Sequence, residues 1–140
     1  MEHRDFLQLQ IDQLGQALSK IFSKMLGIKE KDSLAERIES TSQSLKKEMG
    51  FTIDDLVTLD TENFIVILQE KNVAVDNFDK IADILLLTAD ELYELQPGNE
   101  KSKSLYLKCL KIYHHLQATD LIFPFERQLK VERIKNLVSL

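Results

Sequence analysis

Two prolines and four glycines in 140 residues leave few positions for tight turns, and a hairpin-rich β fold or a flexible linker needs many of them. The scarcity points to an all-α chain. The longest uninterrupted aliphatic or aromatic run is Phe64-Ile65-Val66-Ile67-Leu68, far short of the ~20 apolar residues that span a bilayer as a helix. No membrane helix is expected. Nor is a secretion signal, because Glu2, Arg4 and Asp5 charge the N-terminus and no compact apolar stretch follows.

Cysteine and histidine are almost as scarce. Cys109 stands alone, so no internal disulfide can form, in keeping with a reducing compartment and a cytoplasmic location. Leu105, Ile112 and Leu116 share its helical face, which makes it a core thiol. His114 and His115 are adjacent, and neighbours on a helix point ~100° apart, too divergent to ligate one ion. Cys109 and His114 diverge by about 140° on the same geometry, so they form no nucleophile and base pair. Gly15, Gly27, Gly50 and Gly98 are isolated and make no phosphate-cradling loop. No cofactor, metal site or catalytic residue is therefore expected. A net charge of −5 without a basic, aromatic-interleaved cluster gives no sign of nucleic-acid binding.

What the chain does have is one amphipathic helical segment after another. In the first, about Arg4 to Leu26, the residues Leu7, Ile11, Leu14, Leu18, Ile21 and Met25 form a heptad seam. That seam fits either the protein's own core or a homodimer. Gly15, inside the pattern, marks a close helix crossing. Ser33 with Glu36 has the spacing of a capping box, and Asp32 or Ser33 opens a second helix that ends at Gly50. Its polar run Ser40-Thr41-Ser42-Gln43-Ser44 reads as a solvated face. Thr52, and then Asp60 or Thr61, open two short helices.

The central helix, about Asn77 to Leu95, has a broad apolar face, and opposite it a line of Asp79, Asp83, Asp90 and Glu94. Thr88 and Glu91 also have capping-box spacing, so a break there would interrupt the line. After the Pro97-Gly98-Asn99 turn, a helix from about Lys101 to Ala118 gathers Lys101, Lys108 and Lys111, with His115, on its wet side. Pro124 starts the last helix, with Val131, Ile134 and Val138 inward.

Charge is distributed unevenly along this succession. Residues 1–50 carry eight basic and eight acidic side chains, residues 51–100 two and twelve, and residues 101–140 eight and three. The acidic line and the basic stripe lie on helices joined by a short turn and are expected to face each other. They are equally a candidate interaction surface: Asp79, Asp83, Asp90, Glu94, Lys101, Lys108 and Lys111.

The segment Leu105-Tyr106-Leu107-Lys108-Cys109-Leu110-Lys111-Ile112-Tyr113, followed by Phe123-Pro124-Phe125-Glu126-Arg127, resembles a tetratricopeptide-like helical hairpin. With Val75-Asp76-Asn77-Phe78 ahead of it, the stretch 73–140 is similar to small bacterial all-helical proteins without assigned activity. The resemblance implies a fold and carries over no catalytic residue.

The expected architecture is one all-α domain over residues 1–140, with five to seven helices in an antiparallel hairpin array or bundle. An N-terminal helical pair fills about 1–50, and a helical core with its terminal hairpin fills about 51–140. The expected function is a non-catalytic protein-interaction or scaffold module with an unknown protein partner. The alternative is a small enzyme or divalent-metal-binding bundle that uses the acidic line.

Overall fold

The computed structural model describes residues 2–27, 33–120 and 122–138, with side chains from Asp5 onward. The alternative helix start at Asp32 and the side chain of His3 lie outside them. Seven α-helices and one 3-10 turn account for most of the described residues, with no strand among them. They are α1 (Glu2–Gly27), α2 (Leu34–Met49), α3 (Ile53–Thr58), α4 (Phe64–Glu70), α5 (Phe78–Leu95), α6 (Glu100–Thr119) and α7 (Phe125–Val138), with the 3-10 turn Val75–Asn77 leading into α5.

Local chemistry sets these boundaries. Ser33 Oγ accepts a hydrogen bond from Glu36 N at 3.2 Å, and α2 stops at Gly50, whose φ of 84° costs a glycine little. Thr52 and Asp55 form a reciprocal capping box at the start of α3. Phe64 to Glu70 is helical, but Asn63 rather than Asp60 or Thr61 stands at its N-cap, and no side chain caps it there. Asn99 Oδ1 accepts from Lys101 N at 2.7 Å to begin α6 after the turn at Gly98.

α5 and α6 pack along each other at the centre. Tyr106 meets Asp90 and Cys109 meets the Ala82 carbonyl, so partners rise on one helix as they fall on the other, and the pair is antiparallel. Phe64, Leu68, Phe78, Ile81, Leu85, Leu105, Ile112 and Ile134 are buried around it. Cys109 is fully buried among them, as its apolar face predicts.

The heptad seam is core over only part of its length. Leu18 and Ile21 are buried, Ile11, Leu14 and Met25 are half-buried, and Leu7 is exposed beside Phe6 and Leu9. The crossing at Gly15 is present: a Cβ there would sit 2.8 Å from Asn77 Oδ1, and Asn77 Nδ2 donates to Ile11 O at 3.0 Å. α5 runs unbroken through Thr88, whose hydroxyl donates back to Ile84 O at 2.8 Å rather than capping a new helix.

The polar run of α2 is not a solvated face. Thr41 and Ser42 are buried, and Ser42 Oγ accepts from Ile53 N at 2.7 Å, tying α2 to the first turn of α3. The sequence reading missed this because a hydroxyl facing a helix N-terminus and one facing water look alike in composition.

Candidate functional site

The acidic line and the basic stripe do not face each other. Each faces a different neighbour. Along α5, Asp79 pairs with Arg127, Asp83 with Lys130 at 3.3 Å, and Asp90 with Arg133 at 2.9 Å. Partners rise together on the two helices, so α7 lies parallel to α5 and supplies its cations. Arg127 also holds Asp120 at 2.6 Å, latching the start of α7 to the end of α6. Glu94 is exposed and makes no ion pair among the described residues.

Along α6, positions 101, 104, 108 and 111 form one stripe that runs over α3 and α4. Lys101 meets Asp54 at 3.5 Å, Ser104 donates to Val57 O at 2.7 Å, and Lys111 meets Glu62 at 3.1 Å. Lys108, placed on the wet side by its charge, is fully buried. Its Nζ donates to Ser104 Oγ at 3.0 Å, Thr61 Oγ1 at 3.2 Å and Val57 O at 3.3 Å, and sits 5.9 Å from the Phe64 ring centroid. Burial lowers its pKa, while Asp60 pushes the other way. The ammonium caps the carbonyl end of α3, where the helix dipole favours a cation. Charge alone predicts a wet lysine; the short helices α3 and α4 that cover it are visible only in three dimensions.

A concavity lies elsewhere, between α1 and α2, with Thr88 and Glu91 of α5 closing one side. It has a volume of about 560 Å³, within the range of ligand-sized clefts. α1 lines it at Gln13, Gln16, Ala17, Lys20, Ile21, Lys24 and Met25, spaced three and four apart as one helical face. α2 lines it with Arg37, Ile38, Ser40, Thr41, Ser44, Lys47 and Glu48. The space exists because Ala17, Ser40, Thr41 and Ser44 are too small to fill the gap between two helices. That combination, small side chains on α2 opposite an alanine of α1, is the sequence signal for the groove.

Electrostatics differ around its edge. Arg37 and Glu91 form an ion pair at 3.6 Å at its α5 side. Burial pushes the Glu91 carboxyl above its ordinary pKa, and Arg37 partly offsets this. Lys20, Lys24 and Lys47 are exposed at the rim and form no ion pair among the described residues. Among the described residues the lining contains no cysteine, histidine or aromatic side chain. His115 instead packs against Phe78, 5.5 Å between centroids, and His114 points outward with a pKa lowered by partial burial and by Lys135 and Lys111. Among the described residues no three His, Cys, Asp or Glu side chains converge on one point, and no helix is long and apolar enough to cross a membrane.

No family model, curated protein or solved structure matches the chain, so the resemblance of residues 73–140 to proteins with a tetratricopeptide-like hairpin gains no support from comparison.

Proposed function

We propose that the chain is a non-catalytic protein-interaction module, and that the α1–α2 groove receives the partner. One observation carries this reading: a surface groove of about 560 Å³, floored by Ala17, Ile21, Met25 and Ile38 and rimmed by three lysines that form no ion pair among the described residues. Of the charged residues first singled out, all but Glu94 have partners within the fold, which leaves less of them free for a partner. Asp79, Asp83 and Asp90 would have to release Arg127, Lys130 and Arg133 to hold a divalent cation, which disfavours the metal-binding alternative. Self-association through α1 would use its exposed end at Phe6, Leu7 and Leu9. A reducing compartment such as the cytoplasm suits a chain whose one cysteine is buried.

The test is site-specific photo-crosslinking in the native cell. A crosslinker in place of Ser44, inside the groove, is expected to capture a discrete protein that the same group at Gln117, on the exposed face of α6, does not. Capture from both positions, or from neither, overturns the reading.

A further inference from the structure

The shape and charge of the α1–α2 groove define its partner more closely. Resting on the interaction-module reading above, we infer that the groove binds an acidic amphipathic helix of another protein. Along α1 it runs from Gln13 to Met25, roughly 18 Å at 1.5 Å per residue, which is about three helical turns. A groove of that length between two helices accepts a third helix lying along it, reading apolar side chains at i, i+3 or i+4, and i+7. Its floor of Ala17, Ile21, Met25 and Ile38 is apolar over about two of those turns, from Ala17 to Met25.

Charge selects the sign of the partner. Lys20, Lys24, Arg37 and Lys47 outnumber Glu48 and Glu91 along the lining by two, on a protein whose net charge is −5. Lys101, Lys111, Arg127, Lys130 and Arg133 already face carboxylates, whereas the three rim lysines, gathered along one groove, face none among the described residues. Carboxylates flanking the apolar stripe of an incoming helix would complete them. A nucleic-acid strand fits less well, because the lining offers no aromatic ring on which a base could stack. A flat bilayer cannot follow a cleft between two helices.

The test uses the full chain and a fluorescein-labelled 15-residue peptide with leucine on one helical face and glutamate beside it, followed by anisotropy. Three comparison probes are a scrambled peptide of the same composition, a lysine-flanked peptide and a single-stranded oligonucleotide. The glutamate peptide is expected to bind best and to weaken with salt. Lys20→Glu with Lys24→Glu should cost it roughly tenfold in affinity and shift preference to the lysine peptide. Ser44→Trp, which fills the groove without changing charge, should weaken it as well, with circular dichroism confirming that each variant is folded. Equal binding of the scrambled peptide or the oligonucleotide, or an affinity indifferent to these substitutions, overturns the proposal. If Ser44 crosslinks a protein in cells while the glutamate peptide fails, the interaction reading stands and the acidic helix falls. If both fail, both readings fall.

Discussion

Arg133 grips Asp90 with two parallel hydrogen bonds, Nη1 to Oδ1 at 2.9 Å and Nη2 to Oδ2 at 3.0 Å, while the Tyr106 hydroxyl donates to Oδ1 at 2.6 Å. One carboxylate of α5 thus joins α6 and α7. A forked pair has better geometry than a single contact between flexible chains, but Arg133 remains about half exposed at 46%, which limits its worth. A double-mutant cycle between Asp90→Asn and Arg133→Gln is expected to show a coupling of about 1 kcal/mol at low salt, reduced at high salt. The same cycle between Asp83→Asn and Lys108→Gln should give none, because Asp83 faces α7 and Lys108 faces α3 and α4. Thermal or urea unfolding checks both.

Lys108 invites a different test. Its ammonium is buried against hydroxyls, a carbonyl and a ring, with no carboxylate in ion-pair contact among the described residues. Removing such a charge while keeping the volume removes a desolvation cost together with the hydrogen bonds. Val57 O keeps its bond from Ser104 in either case. Lys108→Met is therefore expected to unfold within about 1 kcal/mol of the wild type. Lys108→Ala, which leaves the space empty, should lose about 2–4 kcal/mol. Equal losses in the two variants would mean that the ammonium itself holds α3 in place.

At Gly15 two effects oppose each other. Alanine gains about 1 kcal/mol of helix propensity over glycine, but its Cβ would lie 2.8 Å from Asn77 Oδ1, in a side chain that is itself buried. Overpacking of that kind costs about 1–3 kcal/mol. Gly15→Ala should be net destabilising in the wild type and stabilising once Asn77 is also alanine. Urea unfolding of the two single variants and the double variant measures the sign change.

These residues show what was legible in the sequence. Helix positions, caps at Ser33 and Thr52, the stop at Gly50, the turn at Gly98 and the crossing at Gly15 follow from local patterns, and local patterns are written in local sequence. Which helix each charged face meets is not local. α5 has Asp79, Asp83 and Asp90 on one side, and the short turn to α6 made Lys101, Lys108 and Lys111 the obvious partners, yet α6 turns that stripe away toward α3 and α4. The cations that meet the line come from α7, a weakly amphipathic helix with little in its pattern to announce its place. The groove left only an indirect signal, the small side chains at Ala17, Ser40, Thr41 and Ser44, because a cleft is a space that side chains fail to fill.

The divided seam of α1 supports a paired prediction. Leu18 is 0% exposed and Leu7 is 45% exposed, so one heptad position is core and the other is surface. Leu18→Glu would bury an unpaired carboxylate and is expected to unfold the chain. Leu7→Glu should leave helix content and melting temperature nearly unchanged. If Leu7→Glu converts a dimer to a monomer in sedimentation, the exposed half of the seam is a self-association surface.

Tyr113 links burial to alkaline stability. Its ring is 1% exposed, and its hydroxyl has no hydrogen-bond partner among the described residues. Burial pushes its pKa well above the ordinary 10.0, and burial does the same to the Cys109 thiol above 9.0. Tyr106 is raised too, by burial and then by its bond to Asp90. A group whose pKa is higher in the folded state keeps its proton after the unfolded chain has lost it. Its contribution is therefore complete below the unfolded value and lost as pH rises above it. Lys108 acts in the opposite direction: between its lowered folded pKa and 10.5 the unfolded chain binds more protons, so it adds stability as pH rises. With three groups against one, stability should begin to fall above about pH 9 and fall more steeply above about pH 10. Tyr113→Phe removes both the unpartnered hydroxyl and one titration. It is expected to gain about 1 kcal/mol at pH 7 and to show a shallower alkaline decline in urea unfolding at pH 8, 10 and 11. A variant less stable than the wild type at pH 7, with an unchanged alkaline slope, would show that the hydroxyl is satisfied in solution.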